Sequence, residues 1–262
     1  MSRLISFAAG NAPDFSCPDF VAAAARAGWP ACGIWYDAET WTAATTRDVK
    51  KMFDESGMVP LDIEVIFMVP GASDPNHFKM IEAGAEIGAR NALIVSMDPD
   101  LSATKAKFHE LSAFASSHNV KANFEFLPIT EVRTLDAALD AIADTPGAGL
   151  MPDLLHLIRS GGCIADLARV PVHRLHYAQI CDGPASVPLD QLYEDAMDGR
   201  VMPGEGALPA VEFMKALPAE LPLSLEIRGK ALREAFPDIN DRAAQMLSVA
   251  RRFFATHDTV SA

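Results

Sequence analysis

Pro222-Leu-Ser-Leu-Glu-Ile-Arg-Gly229 reads as a strand whose two faces differ in chemistry. Successive side chains of a strand point to opposite sides, so Leu223, Leu225 and Ile227 share one face and Ser224, Glu226 and Arg228 the other. The first face calls for an apolar layer, and the second for something polar and enclosed. Three other strand-like stretches also end in a polar group, at Glu125, Asp153 and Gln179. The expectation that organises the rest is that these four side chains converge on one metal ion.

Outward from that stretch, the chain repeats one rhythm. Strands are expected at 4–8, 31–37, 59–68, 91–97, 120–127, 147–152, 174–181 and 223–228. Helices are expected between them, at 17–28, 39–57, 76–88, 102–118, 135–143, 154–168 (interrupted at Gly161-Gly162), 189–197, 210–217 and 230–257 (broken at Phe236-Pro237). Gly28, Gly57 and Gly88 stand where the first three helices should stop. The last residues read as a frayed tail. Eight strands alternating with helices predict a parallel α/β sheet, and eight units in 262 residues match a closed (β/α)8 TIM barrel, a single domain over 1–262. An open doubly wound sheet is the competing fold. It should carry a glycine-rich phosphate turn after the first strand, and Ala8-Ala-Gly-Asn-Ala-Pro13 does not fit that fingerprint.

Composition narrows the function classes. Half the residues are apolar, enough for one full core, and the net charge of −13 gives no basic footprint for nucleic acid. Cys17, Cys32, Cys163 and Cys181 form no CxxC pair and read as reduced, mostly buried thiols of a cytoplasmic protein. The first residues lack the apolar core of a signal peptide, and no run reaches the roughly 18 apolar residues of a membrane span. The expected partner is a small-molecule substrate, with neither nucleic acid nor membrane. The apolar residues Met246, Leu247, Val249, Phe253 and Phe254 could pack a homodimer partner or close the barrel's own outer layer, the latter being expected.

In a (β/α)8 barrel the chemistry sits where the C-terminal ends of the strands meet. Three carboxylates and one amide oxygen are hard donors, suited to Mn²⁺ or Mg²⁺ ahead of Zn²⁺ or Co²⁺. Each acid has a plainer use. Asp153 precedes a helix and could be its N-cap. Glu125 lies between Phe124 and Phe126. If those rings face the helices, Glu125 faces the interior, where an unpaired carboxylate is costly.

Phe124-Glu-Phe126, Asp153-Leu-Leu-His156, Ala178-Gln-Ile-Cys-Asp182, Arg200-Val-Met-Pro-Gly-Glu-Gly206 and Leu225-Glu-Ile-Arg228, in that order, resemble the xylose isomerase-like TIM barrels, a broad family of sugar and sugar-phosphate isomerases and epimerases. The resemblance spans nearly the whole chain. It implies that Glu125, Asp153, Gln179 and Glu226 ligate a divalent metal, with glutamine where many members have histidine. It also implies that Glu125 and Glu226 are the acid/base pair: one carboxylate removes a proton beside a carbonyl and the other returns one, through a metal-stabilised enediolate.

His156 resembles the family's substrate-oxygen partner. Arg228 shares the inward face of Glu226 and could hold a substrate oxygen, or it could pair with a carboxylate alone. Arg200 and Glu205 belong to the Pro-Gly-Glu-Gly loop, where glycines allow close approach to a ligand or simply make a turn. Glu64 lies inward by alternation and would add a polar contact. His176 falls on the face opposite Gln179 and is expected to pack outward. Trp35, Tyr36 and Trp41 follow the second strand, and Phe67, Met68 and Met97 end the third and fourth. If several of these, Trp35 first, line the mouth, the pocket is apolar on one side and favours a substrate with a ring or aglycone.

The function expected is therefore a metal-dependent isomerase or epimerase of a sugar or related polyhydroxy carbonyl compound. A dehydratase or lyase acting on a sugar- or cyclitol-like substrate shares the first step and is the close alternative. A branch of the superfamily that hydrolyses abasic DNA is set aside, because strand-end histidines are too few for a zinc cluster and the acidic balance repels phosphate. A non-catalytic binding barrel would be expected to lose metal ligands, and all four positions are kept.

Overall fold

The computed structural model describes residues 3–257. The strands are β1 (Ile5–Phe7), β2 (Ala31–Trp35), β3 (Val59–Met68), β4 (Asn91–Ser96), β5 (Lys121–Glu125), β6 (Gly149–Leu150), β7 (Ala178–Ile180) and β8 (Leu223–Leu225). The helices are α1 (Cys17–Ala27), α2 (Ala43–Ser56), α3 (Pro75–Ile87), α4 (Leu101–Ser117), α5 (Leu135–Ile142), α6 (Leu154–Arg159), α7 (Leu192–Asp198), α8 (Ala210–Ala216), α9 (Lys230–Ala235) and α10 (Ile239–His257). All strand pairs are parallel, in the order β6-β5-β4-β3-β2-β1-β8-β7. Two single bridges, Leu150 to Leu175 and Asp153 to Gln179, close the sheet between β6 and β7. The (β/α)8 barrel expected from the strand count is what forms.

Local chemistry sets the elements. Ser16, Thr42, Asp74, Asp100, Thr134 and Asp153 cap helix starts by accepting backbone N–H groups that have no partner within the helix. Gly28 and Gly88 take φ of 83° and 98° at the ends of α1 and α3, a region costly for other residues. Two apolar layers follow. Outside the sheet, Phe7, Phe124, Leu225 and Ile227 pack against the helices, and the Phe124 ring meets Phe108 of α4 edge-on at 5.2 Å. Inside, Ala31, Leu61, Leu93, Met151 and Tyr177 fill the barrel. The face of α10 bearing Met246, Leu247 and Phe253 is spent within this chain, where the helix packs beside α1.

Several boundaries differ from expectation. The strand expected at 174–181 shortens to β7 because residues 172–174 wind into a 3₁₀ turn. The Arg174 guanidinium is tied to the carbonyls of Ile142, Ala143 and Ala148 at the end of α5. Alternation therefore does not reach His176. Instead of packing outward, its Nδ1 meets Asn123 Oδ1 at 2.8 Å, and Asn123 in turn donates to Asn91. The ladder of β8 ends at Leu225. Past it, the Glu226 amide still donates to Ile180 O and the Ile227 amide to Asn11 Oδ1. The helix expected at 154–168 stops at Arg159, before Gly161 at φ 81°. Cys17, Cys32 and Cys181 are buried thiols, while Cys163 is exposed. No helix among the described residues is long and apolar enough to cross a membrane. The expected tail lies mostly outside the described residues.

Candidate functional site

At the C-terminal end of the barrel a cavity is lined on one side by Glu125 from β5, His156 from α6, Arg200, Glu226 and Arg228. Phe124 and Phe126 lie in the helix-facing layer, which turns Glu125 into the barrel. Asp153 caps α6 with one oxygen, accepting the His156 amide at 2.9 Å, and both uses expected of it therefore stay open to the same side chain.

Arg200, 3% exposed, organises the cluster. Its Nη1 donates to Asp153 Oδ2 at 2.7 Å and its Nη2 lies 3.0 Å from Glu226 Oε2. Nη2 also stands 3.2 Å from His156 Nε2, and Nε donates to Ala196 O. Arginine can only donate, so His156 Nε2 is the acceptor and the ring proton belongs on Nδ1, which is buried without a partner. His156 Nε2 lies 3.6 Å from Glu125 Oε1.

Burial, then the charges of Glu226 and Asp153, hold the Glu125 carboxyl well above the usual range. Burial also raises Glu226, against the opposing pull of the Arg200 guanidinium. Asp153 goes the other way: burial would raise it, but Arg200 and the cap hydrogen bond outweigh that and hold it low. Burial pushes His156 down to about 4, so the imidazole is neutral near pH 7.

Below the cluster lies a second tier of acids. Asp62 and Glu64 are fully buried. Glu64 accepts the Gly10 amide at 3.3 Å and the Gln179 amide nitrogen at 3.4 Å. It supports Gln179 from beneath and is absent from the cavity wall. The pairing of β3 with β2 shifts register between Cys32 and Ile34, and with β4 between Ile63 and Ile66. Alternation turns Glu64 inward, but the shifted registers keep it off the cavity wall, and no role was expected of Asp62.

The donor set fits a divalent cation in chemistry. The Gln179 amide nitrogen is used on Glu64, and its carbonyl oxygen is buried with no partner. Glu125, Asp153 and Glu226 repel one another, with Arg200 and Arg228 as the cations at hand. Among the described residues, no three His, Cys, Asp or Glu side chains meet as a metal-holding group. The reason is visible in the contacts: the Arg200 guanidinium bridges Asp153 and Glu226, so an ion shared by those two would replace contacts that Arg200 now makes.

Of the other expected residues, Trp35 and Arg228 line the cavity, whereas Glu205 is exposed on its turn and away from it. Phe67 lines the cavity, Met97 is exposed beside it, and Met68 packs outward into the helix layer. Asp182 holds the loop that carries Arg200, a role the sequence reading did not assign. Its carboxylate accepts the amides of Gly183, Gly204 and Leu208 at 2.8–2.9 Å. The Gln-x-x-Asp spacing was the signal that could have found it.

A family model described as xylose isomerase-like TIM barrel matches residues 21–252. No curated protein matches the sequence. Among solved structures, a xylose isomerase-like TIM barrel/4-hydroxyphenylpyruvate dioxygenase fusion protein is 19% identical with a TM-score of 0.81. The match takes in 100% of this chain but only 45% of that one. The IOLI protein with a bound zinc atom is 17% identical over 97% of this chain and 98% of that one, TM-score 0.80. D-psicose 3-epimerase with D-tagatose, from Clostridium cellulolyticum H10, is 14% identical over 95% and 98%, TM-score 0.69. At such identities the likeness carries the fold.

Proposed function

The chain belongs to the xylose isomerase-like TIM barrel family, and we propose that within it the chain is a divalent-metal-dependent isomerase or epimerase that moves a proton at the carbon beside a carbonyl. The observation that carries this reading is that Glu125 and Glu226, from different strands, face one cavity. Their surroundings differ in the way an acid/base pair requires. Glu226, with Arg200 at 3.0 Å, starts as the ionised base. Burial pushes Glu125 well above the usual range in the metal-free site, which suits it to carry the proton, and a divalent ion bound there would draw it toward its ionised form. Arg200 orients Glu226 in the metal-free site, and an ion shared by Asp153 and Glu226 would take over those contacts. A divalent ion held by Asp153, Gln179, Glu125 and Glu226 would supply Lewis-acid stabilisation of that charge. Hard oxygen donors favour Mn²⁺ or Mg²⁺. A dehydratase would begin with the same proton removal and end in loss of a hydroxyl.

The test is elemental analysis of the purified protein, with Mn²⁺ titrated into the metal-stripped wild type and into the Glu125→Gln, Asp153→Asn and Glu226→Gln variants. One ion per chain is expected, with affinity falling at least about tenfold for each change. Hydroxy-ketones incubated in D₂O should incorporate deuterium beside the carbonyl without losing water. Failure to bind any divalent ion would sink the metal-dependent reading and favour a binding barrel.

A further inference from the structure

The cavity has two kinds of wall. Glu125, His156, Arg200, Glu226 and Arg228 form one side, and Arg228 Nε is buried there with no hydrogen-bond partner. The opposite side comes from β2, β3 and β4 as Trp35, Val65, Phe67, Leu93 and Val95. Among these five lining side chains, the Trp35 indole N–H alone is a donor. The hydrocarbon continues outward: Phe67 and Val69 at the end of β3, Met97 just past β4 and Leu101 at the start of α4 are 45–48% exposed. Trp35 also borders a further cavity of about 320 Å³ whose wall is mixed, Phe15 and Trp41 with Ser16, Asp37 and Thr40. A free sugar turns hydroxyls to every side, and each one pressed on hydrocarbon without a partner costs roughly 1–3 kcal/mol.

We propose that the substrate is two-faced: an α-hydroxy-carbonyl end in the cavity of about 60 Å³, turned to Glu125, Arg200 and Glu226, and an aryl or alicyclic body that extends past Trp35 and Phe67 onto the exposed rim. The unspent donors of Arg228 receive an oxygen substituent at the reacting end. This substrate class rests on the proton-transfer reading given above. It explains why a cluster of charges opens onto a rim of exposed hydrocarbon, and why the wall facing β5–β8 chemistry carries no polar group suited to a polyol.

The experiment compares 2-hydroxy-1-phenylethanone with D-fructose as ligands of the full chain, by calorimetric titration in the presence of Mn²⁺. Deuterium incorporation from D₂O is followed in the same samples. The aryl compound is expected to bind at least about tenfold more tightly, the effect of covering roughly 50 Å² of apolar surface. Phe67→Ser, at an exposed position where folding is spared, should remove most of that preference, read as the ratio of the two affinities. Equal or tighter binding of D-fructose overturns the inference, as does a Phe67→Ser change that leaves the ratio alone. It is likewise overturned if the rim proves to be covered by a second copy, seen as a dimer that Phe67→Ser dissociates with no change in the ratio. Deuterium separates the two layers of argument. Exchange into D-fructose without aryl preference removes the two-faced substrate and leaves proton transfer standing. Aryl preference with exchange in neither compound keeps the two-faced pocket and removes proton transfer.

Discussion

Replacing Arg200 with methionine keeps an unbranched stem and removes the charge from between Asp153 and Glu226. In the wild type the guanidinium is 2.7 Å from one carboxylate and 3.0 Å from the other, and it is 3% exposed. Deleting one partner of a buried pair leaves an uncompensated charge and typically costs about 3–5 kcal/mol. For a chain of this length that is roughly 10 °C in Tm. The freed carboxylates are also the ones expected to share a cation, so the variant should bind Mn²⁺ at least about tenfold more tightly than the wild type, where the ion must displace Arg200. Thermal melts in EDTA and in graded Mn²⁺ read both effects. At an ion concentration about 100 times Kd, binding returns roughly 2.7 kcal/mol. A large loss in EDTA that Mn²⁺ repairs in the variant, at ion concentrations at least about tenfold below those that stabilise the wild type, is the expected pattern. If Mn²⁺ stabilises both proteins equally, ion and guanidinium do not compete, and the reasoning about their shared carboxylates fails. A loss below about 1 kcal/mol in EDTA would instead refute the burial argument.

Other outcomes follow from neighbouring contacts. A Cβ at position 10 would overlap Glu226 Oε1, so Gly10→Ala should cut deuterium exchange by about a hundredfold while the far-ultraviolet dichroism stays native. Asp182→Ala frees the amides of Gly183, Gly204 and Leu208; it should cost about 2–4 kcal/mol in urea melts and admit protease within residues 203–207. Burial, then the charge of Glu226, pushes Asp62 up to about 7. Its folded state therefore binds a proton that the unfolded chain releases near pH 4, and stability should fall as pH rises from about 4 through 7. Asp62→Asn, measured by the same melts across that range, should flatten the slope.

Much of the barrel was legible because its signals are local. The bounds of β3, Val59–Met68, follow from a β-branched and apolar run that carries Asp62 and Glu64, and α1 and α3 stop where glycine must take positive φ. The inward turn of Glu125 was readable from its two phenylalanine neighbours, which pack into the helix layer as expected. What was not legible came from contacts between distant parts of the chain. Arg200 reaches Asp153 across 47 residues, and no spacing rule announces that a loop arginine will bridge two carboxylates expected to hold a metal. The shortening of β7 likewise depends on Arg174 binding carbonyls at the end of α5. Glu64 was placed inward correctly by alternation, yet register shifts on both sides of β3 set it beneath Gln179 and off the cavity wall.

The closure of the sheet gives the site a mechanical meaning. Seven strand pairings are ladders, but between β6 and β7 the barrel is held by two single bridges, and one of them is Asp153 to Gln179. That bridge joins two of the four expected metal ligands. The joint held by isolated bridges in place of a ladder is thus the place where a cation would act as a clasp, pinning the last pair of strands by their side chains. Occupancy of the site and integrity of the cylinder become one equilibrium. Amides flanking 150–153 and 175–179 are then the ones whose hydrogen exchange should slow most when Mn²⁺ is added.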